Sequence, residues 1–273
     1  RNRVRTVPSE SPTDLASLRQ RIDELDRRLI ATLAERIQVC HEVARIKEHS
    51  DTPIIQPERV RSVISSRRQH AIDAGIDPDF AEDVMRVVLA ETHRIEVAGR
   101  RTDAAPEKSA LRDNRQGTPT DIHTALDTVA TRIDHVVVTV DDLAVAVKHF
   151  TEKLGFHVQA TDHDQPGIAA LVAGGVTLVL VSPEAGFEVA THLATHGPGI
   201  HHIAIEVLNA EYARRALSEI TDTTPLVDDA HGHEQFFTVR DADSGVQLGY
   251  IARTGHRVGV ATQNILAAFK FAR

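Results

Sequence analysis

The chain has 273 residues, 26% of them charged, and a formal net charge of -8, enough sequence for two domains on a prior of about 150 residues each. The acidic balance argues against a nucleic-acid binder, and no apolar run approaches the roughly 18 residues of a membrane span. A single cysteine, Cys40, leaves no disulfide framework and suits a reducing cytoplasm, and with 4% aromatics and no Trp the cores must be aliphatic.

Residues 1–12, RNRVRTVPSESP, lack the apolar core of a secretory signal and read as a disordered tail. From Thr13 to His49, Leu15, Leu18, Ile22, Leu25, Leu29, Leu33, Ile37, Cys40 and Val43 recur at three- and four-residue steps, which predicts one long amphipathic helix capped by Thr13 or Asp14. Such a helix spans about 50 Å at 1.5 Å per residue, more than the core of a small monomeric domain, so it is expected to pair with a second chain. Pro57 suits the first turn of a second helix, Glu58 to about Ala74, and Gly75 stops it. Asp77-Pro78 opens a third helix, with Phe80, Val84, Met85, Val88 and Leu89 on one face, running to about Val97.

Residues 101–130 lose periodicity and gain Pro, Gly, Asp and Ser, as a linker does, with room for one helical turn near its end. Beyond it the period becomes that of strands, at 135–140, 157–162, 168–174, 176–183, 201–207, 234–241 and 246–252, with helices at 143–154 and 210–220. Ile133-Asp134-His135-Val136 precedes Ile200-His201-His202-Ile203 by one fixed offset, and Val140 precedes Val207 by the same offset. A duplicated unit of strand, helix and strands packs as two modules in one curved sheet around a shared cavity. The tail, 255–273, has the pattern of a short amphipathic helix.

Two cations break the apolar stripe of the first helix while staying in phase with it. Arg36 lies five whole turns after Leu18, and Lys47 falls within about 20° of the same line. Buried alone, each would cost several kcal/mol. Either carboxylates or an anionic ligand meets them, or each snorkels past the edge of the stripe.

LRQRIDELDRRLIATLAER, the in-phase Lys47, PIIQPER and the third helix ending ETHRIE resemble the all-helical (type II) chorismate mutases. The resemblance covers residues 14–98, in a domain bounded at 13–100, and implies a three-helix domain forming an intertwined homodimer. It also implies a Claisen rearrangement of chorismate to prephenate, in the shikimate pathway to aromatic amino acids, without metal or cofactor. Arg36, Lys47 and Arg59 would surround the substrate's carboxylates and ether oxygen, Arg19 would reach into the partner's site, and Thr92 and Glu96 would close the pocket. Such a reaction needs a clamp and positive charge where the ether oxygen becomes negative.

Several positions depart from the family pattern. Gln56 stands where the family usually has an acidic residue and Val60 where it usually has Glu, both positions that hold the ring hydroxyl. Glu96 stands where many members have Gln, and a carboxyl donates only when protonated, so better activity at mildly acid pH is implied. The valine also resembles the isochorismate-pyruvate lyases, and an amino-substituted chorismate is a third candidate substrate. An alternative of another class is a degenerate mutase that dimerises a ligand-binding cup.

IDHVVVTVDD, GPGIHHIAIEV and AHGHEQFFTVRDADSGVQLGY resemble the vicinal-oxygen-chelate fold of glyoxalases, with the methylmalonyl-CoA epimerases the closest likeness. The resemblance covers residues 131–254 and implies paired βαβββ modules with one divalent metal held by two histidines and two side-chain oxygens. His135 and His202 fit the histidine positions, but Val179 and Gly249 stand where the oxygen ligands belong. Gln247 or His233 could substitute. Otherwise the cup binds a small aromatic metabolite as a sensor, scaffold or pocket lid for the mutase; as an enzyme it would process the mutase product or a downstream α-keto acid. The whole is thus expected to be a multidomain α and α+β protein, cytoplasmic, with no nucleic-acid or membrane partner.

Overall fold

The computed structural model describes residues 14–48, 56–103, 122–160, 165–229, 232–255 and 259–271. The expected tail at 1–12, Thr13 as a cap and most of the linker lie outside them. No helix among the described residues is long and apolar enough to cross a membrane.

Three helices come first: α1 (Leu15–Glu48), α2 (Pro57–Asp73) and α3 (Pro78–Asp103). Asp14 caps α1 by accepting from the Ser17 amide at 2.7 Å. Gln56, extended as a residue before proline must be, leads Pro57 into α2. The turn into α3 uses Gly75 at φ 72°, a left-handed conformation that closes α2 with Ile76 N donating to Ala71 O. Asp77 Oδ1 then accepts from the Asp79 amide to start α3.

The C-terminal third of α1 packs on α3, burying Cys40 and Ala44. Its N-terminal two thirds do not bury their stripe: Leu15, Leu18, Ile22, Leu25 and Leu29 are 44–63% exposed. The periodic apolar face is therefore present and uncovered by its own chain.

A short helix, α4 (Ile122–Val129), enters an eight-stranded sheet: β1 (Ala130–Thr139), β2 (His157–Gln159), β3 (Ile168–Ala173), β4 (Val176–Val181), β5 (Gly199–Val207), β6 (Val227–Asp228), β7 (His233–Phe237) and β8 (Leu248–Arg253). The strand order is β2-β3-β4-β1-β5-β8-β7-β6. The central pair β1/β5 is antiparallel, β4 joins β1 and β8 joins β5 in parallel, and the outer pairs are antiparallel, so each half repeats the other. The helices α5 (Leu143–Leu154) and α7 (Ala210–Ser218) start at equivalent places, capped by Asp142 and Asn209, which accept from Val145 N and Tyr212 N.

The two faces of the sheet are covered differently. On one, α4 and α7 pack on Val207, Phe236, Tyr250 and Ala252, and Val60 of α2 and Ala90 of α3 pack against the same cluster. Arg86 of α3 reinforces this junction by donating to Asp127 O at 2.9 Å and Ala130 O at 3.1 Å while paired with Glu82. On the other face, Val137 and Val179 are covered by α6 (Phe187–His196) and the C-terminal helix α8 (Thr262–Phe271) through Val189, Leu193, Ile265 and Phe269.

Candidate functional site

Two of the in-phase cations of α1 meet α3. Arg36 Nη1 donates to Thr92 Oγ1 at 2.6 Å, and that hydroxyl in turn donates to Val88 O at 2.9 Å. One helical turn on, Lys47 Nζ pairs with Glu96 Oε2 at 2.7 Å, with both side chains largely buried. Residues 92 and 96 are neighbours on one face of α3, so the two cations, whose Cα atoms are about 16 Å apart along α1, converge on a hydroxyl and a carboxylate one helical turn apart. Beside them His93 is buried with Nε2 unpartnered; its burial and then the Lys47 charge push it down to about 3.

The other expected mutase residues are not gathered there within one chain. Arg19 and Arg59 are exposed, and Gln56 is half-buried at the start of α2. Val60 turns toward the second module and borders a cavity of about 410 Å³ between α2, α3 and α4, which Arg61, Ile64, Arg68, Glu82 and Arg86 also line. Sequence reading did not single out that cavity or His93, because both depend on how α3 seats against its neighbours.

In the second module the repeat brings His135 and His202 together: their rings are 6.0 Å apart and both are buried. A register shift between Ile133 and His135 places Asp134 beside His135. His135 Nδ1 lies 2.7 Å from Asp134 Oδ2, and Arg253 forks onto the same carboxylate at 2.7 and 2.8 Å. Burial opposes ionisation of Asp134, but the bonds from His135 and Arg253 prevail and hold its carboxyl well below the usual range. His202 Nδ1 shares a hydrogen bond with His201 Nδ1 at 2.8 Å, and burial, then the neighbouring His201, His135 and Arg240, keep His202 well below the ordinary imidazole value.

A divalent ion fits this donor set poorly. Val179 is fully buried in the apolar cluster beneath α8, and Gly249 offers no side chain; Gln235 Nε2 lies 3.1 Å from where a Cβ at position 249 would sit. Of the substitutes, His233 is engaged with Asp229 and Arg253, whereas Gln247, whose Nε2 donates to Thr238 O, keeps its Oε1 unpartnered and would add only one neutral oxygen to the two histidines. Among the described residues no group of three or more His, Cys, Asp or Glu is arranged to hold a metal.

Comparison with known proteins agrees with this division. Residues 18–97 match the family model of chorismate mutase type II, and residues 132–249 that of the glyoxalase/bleomycin resistance protein/dioxygenase superfamily. A T-protein of Enterobacter agglomerans is 40% identical over 83 residues, 30% of this chain and 22% of that protein, so the chain spans about a fifth of the length of the T-proteins it matches. A 4-amino-4-deoxychorismate mutase of Streptomyces venezuelae is 34% identical over 83 residues, 30% of this chain and 81% of that protein. A Streptomyces coelicolor methylmalonyl-CoA epimerase structure aligns over 48% of this chain and 99% of its own at 24% identity and a TM-score of 0.41. The second part of the chain, 132–249, is similar to the glyoxalase superfamily, and through its N-terminal helices the chain belongs to the type II chorismate mutase family.

Proposed function

We propose that residues 13–100 are a homodimeric chorismate mutase domain, joined by 101–130 to a glyoxalase-fold module at 131–254 that binds or regulates rather than catalyses. The observation that carries this reading is the pairing of Arg36 with Thr92 and Lys47 with Glu96, which sets two largely shielded cations on one side of α3. A dianionic substrate displaces Thr92 and Glu96 as their partners. Arg36 and Arg59 grip its carboxylates, Lys47 meets the ether oxygen as the C–O bond breaks, and Thr92 with Glu96 closes the pocket. The new C–C bond forms in the same molecule, so no nucleophile, metal or cofactor is consumed.

The exposed stripe of α1 supports the dimer. Covering five Leu and Ile side chains is worth roughly 1.5–3 kcal/mol each, and the second copy would bring Arg19 to complete the cation set. Gln56 would then border the ring hydroxyl without its usual acidic partners, Val60 being turned toward the second module. That loss keeps a second reading open, an amino-substituted chorismate, which the Streptomyces relative's name also favours. Isochorismate, as lyase substrate, is the further alternative. Mixing purified protein with chorismate, isochorismate or 4-amino-4-deoxychorismate separates the three by which absorbance decays and which product forms. Decay of none of them favours the non-catalytic dimeriser.

A further inference from the structure

Beside the apolar cluster of Val137 and Val179, the sheet face beneath the chain's own C-terminal helix is polar. Register places His135, Ala204, Gly249 and Phe237 in one row across β1, β5, β8 and β7, with His202, Gln247 and Gln235 two residues away on the same face. His135 Nε2, His202 Nε2, Gln247 Oε1 and both amide atoms of Gln235 are buried there without a hydrogen-bond partner. Over this wall α8 sets Ile265 and Phe269, and the Phe269 ring stacks on His201 at 3.8 Å. Among the described residues its polar ties to the sheet are two: Asn264 Nδ2 donates to His233 O at 2.9 Å, and Arg253 donates to Gly259 O just before the helix at 3.0 Å.

Apolar contact therefore favours the closed helix while unpaired polar atoms beneath it oppose closure, since each buried orphan carries a desolvation cost that a partner would remove. We propose that α8 is a detachable plug: an intramolecular occupant of the cup that leaves to admit a small ligand rich in hydroxyl or amino donors. The wall selects that class because it is rich in acceptors. Gln247 Oε1, whose Nε2 donates to Thr238 O, and Gln235 Oε1 are unpartnered carbonyl oxygens, with the Nε2 atoms of His135 and His202 beside them. No metal is needed, in keeping with the poor fit of the donor set, and the inference does not depend on the mutase reading.

Two measurements on the full chain test it. In amide hydrogen exchange, residues 262–271 are expected to exchange at least about 100-fold faster than the β1 and β5 amides, by opening of α8 alone. In histidine carbethoxylation with diethyl pyrocarbonate, Phe269→Ala is expected to raise the modification rate of His135 and His202 by about tenfold or more while the sheet stays folded. Exchange of α8 in step with the central strands, unchanged histidine reactivity in a folded Phe269→Ala, or collapse of the whole module in that variant would each show α8 to be fixed core and overturn the proposal.

Discussion

Lys47 Nζ and Glu96 Oε2 form a largely buried ion pair at 2.7 Å, joining the last turn of α1 to α3. In the unliganded chain the cation assigned to the ether oxygen is thus already neutralised by the residue assigned to close the pocket. Substrate must compete with Glu96 for Lys47. Glu96→Gln, which removes that competing charge and still donates a hydrogen bond, is therefore expected to raise kcat/KM by about tenfold. An unchanged or lower kcat/KM in that variant would contradict this assignment.

The uncovered stripe of α1 gives a second expectation. Leu25→Asp combined with Leu29→Asp places two charges in the face assigned to the partner helix, each of which would be costly to bury. Sedimentation should change from dimer to monomer, and activity should fall with it because Arg19 no longer reaches the other site. A variant that stays dimeric and active would move the interface elsewhere.

Acid should destabilise the protein through His93. Its folded value, about 3, lies below the ordinary 6.5 of the unfolded chain, so as pH falls the unfolded state takes up a proton first. The contribution is nil above about pH 6.5 and unfavourable below it, approaching about 1.4 kcal/mol per pH unit. Urea midpoints measured at pH 7 and pH 4.5 should differ less for His93→Phe than for the wild type, and equal differences would show that His93 is not the source.

Metal content is the fourth point. Protein prepared without chelator should carry well under one equivalent of iron, cobalt, nickel or zinc, because Val179 and Gly249 remove both oxygen ligands of the implied site. Stoichiometric metal lost on His202→Ala would mean that Gln235 or another residue completes the shell.

Much of this architecture is written in local pattern. The 3.6-residue stripe gave α1 nearly to its ends, and the fixed offset between His135 and His202 recurs at the helix caps Asp142 and Asn209 and in the two-fold repetition of the sheet. The first strand begins at Ala130 rather than 135, since register shifts after Ala130 and Ile133 break the alternation there. Helix α6 gave no sequence signal: only Val189 and Leu193 mark its buried apolar face, and two threonines lower its helix propensity. The pairing of Arg36 and Lys47 with α3 was legible only as a need for partners. Which groups met them, the turning of Val60 toward the second module, and the placing of the amphipathic tail in the cup depend on contacts distant in sequence, and local pattern carries no record of those.

The most direct measurement is the disappearance of chorismate with the full chain and with Arg36→Ala. The account expects turnover that tracks protein concentration and falls at least about 100-fold in the variant, with the fold and the dimer retained. Absence of turnover on chorismate and both of its analogues, or turnover that survives the loss of Arg36, would contradict it.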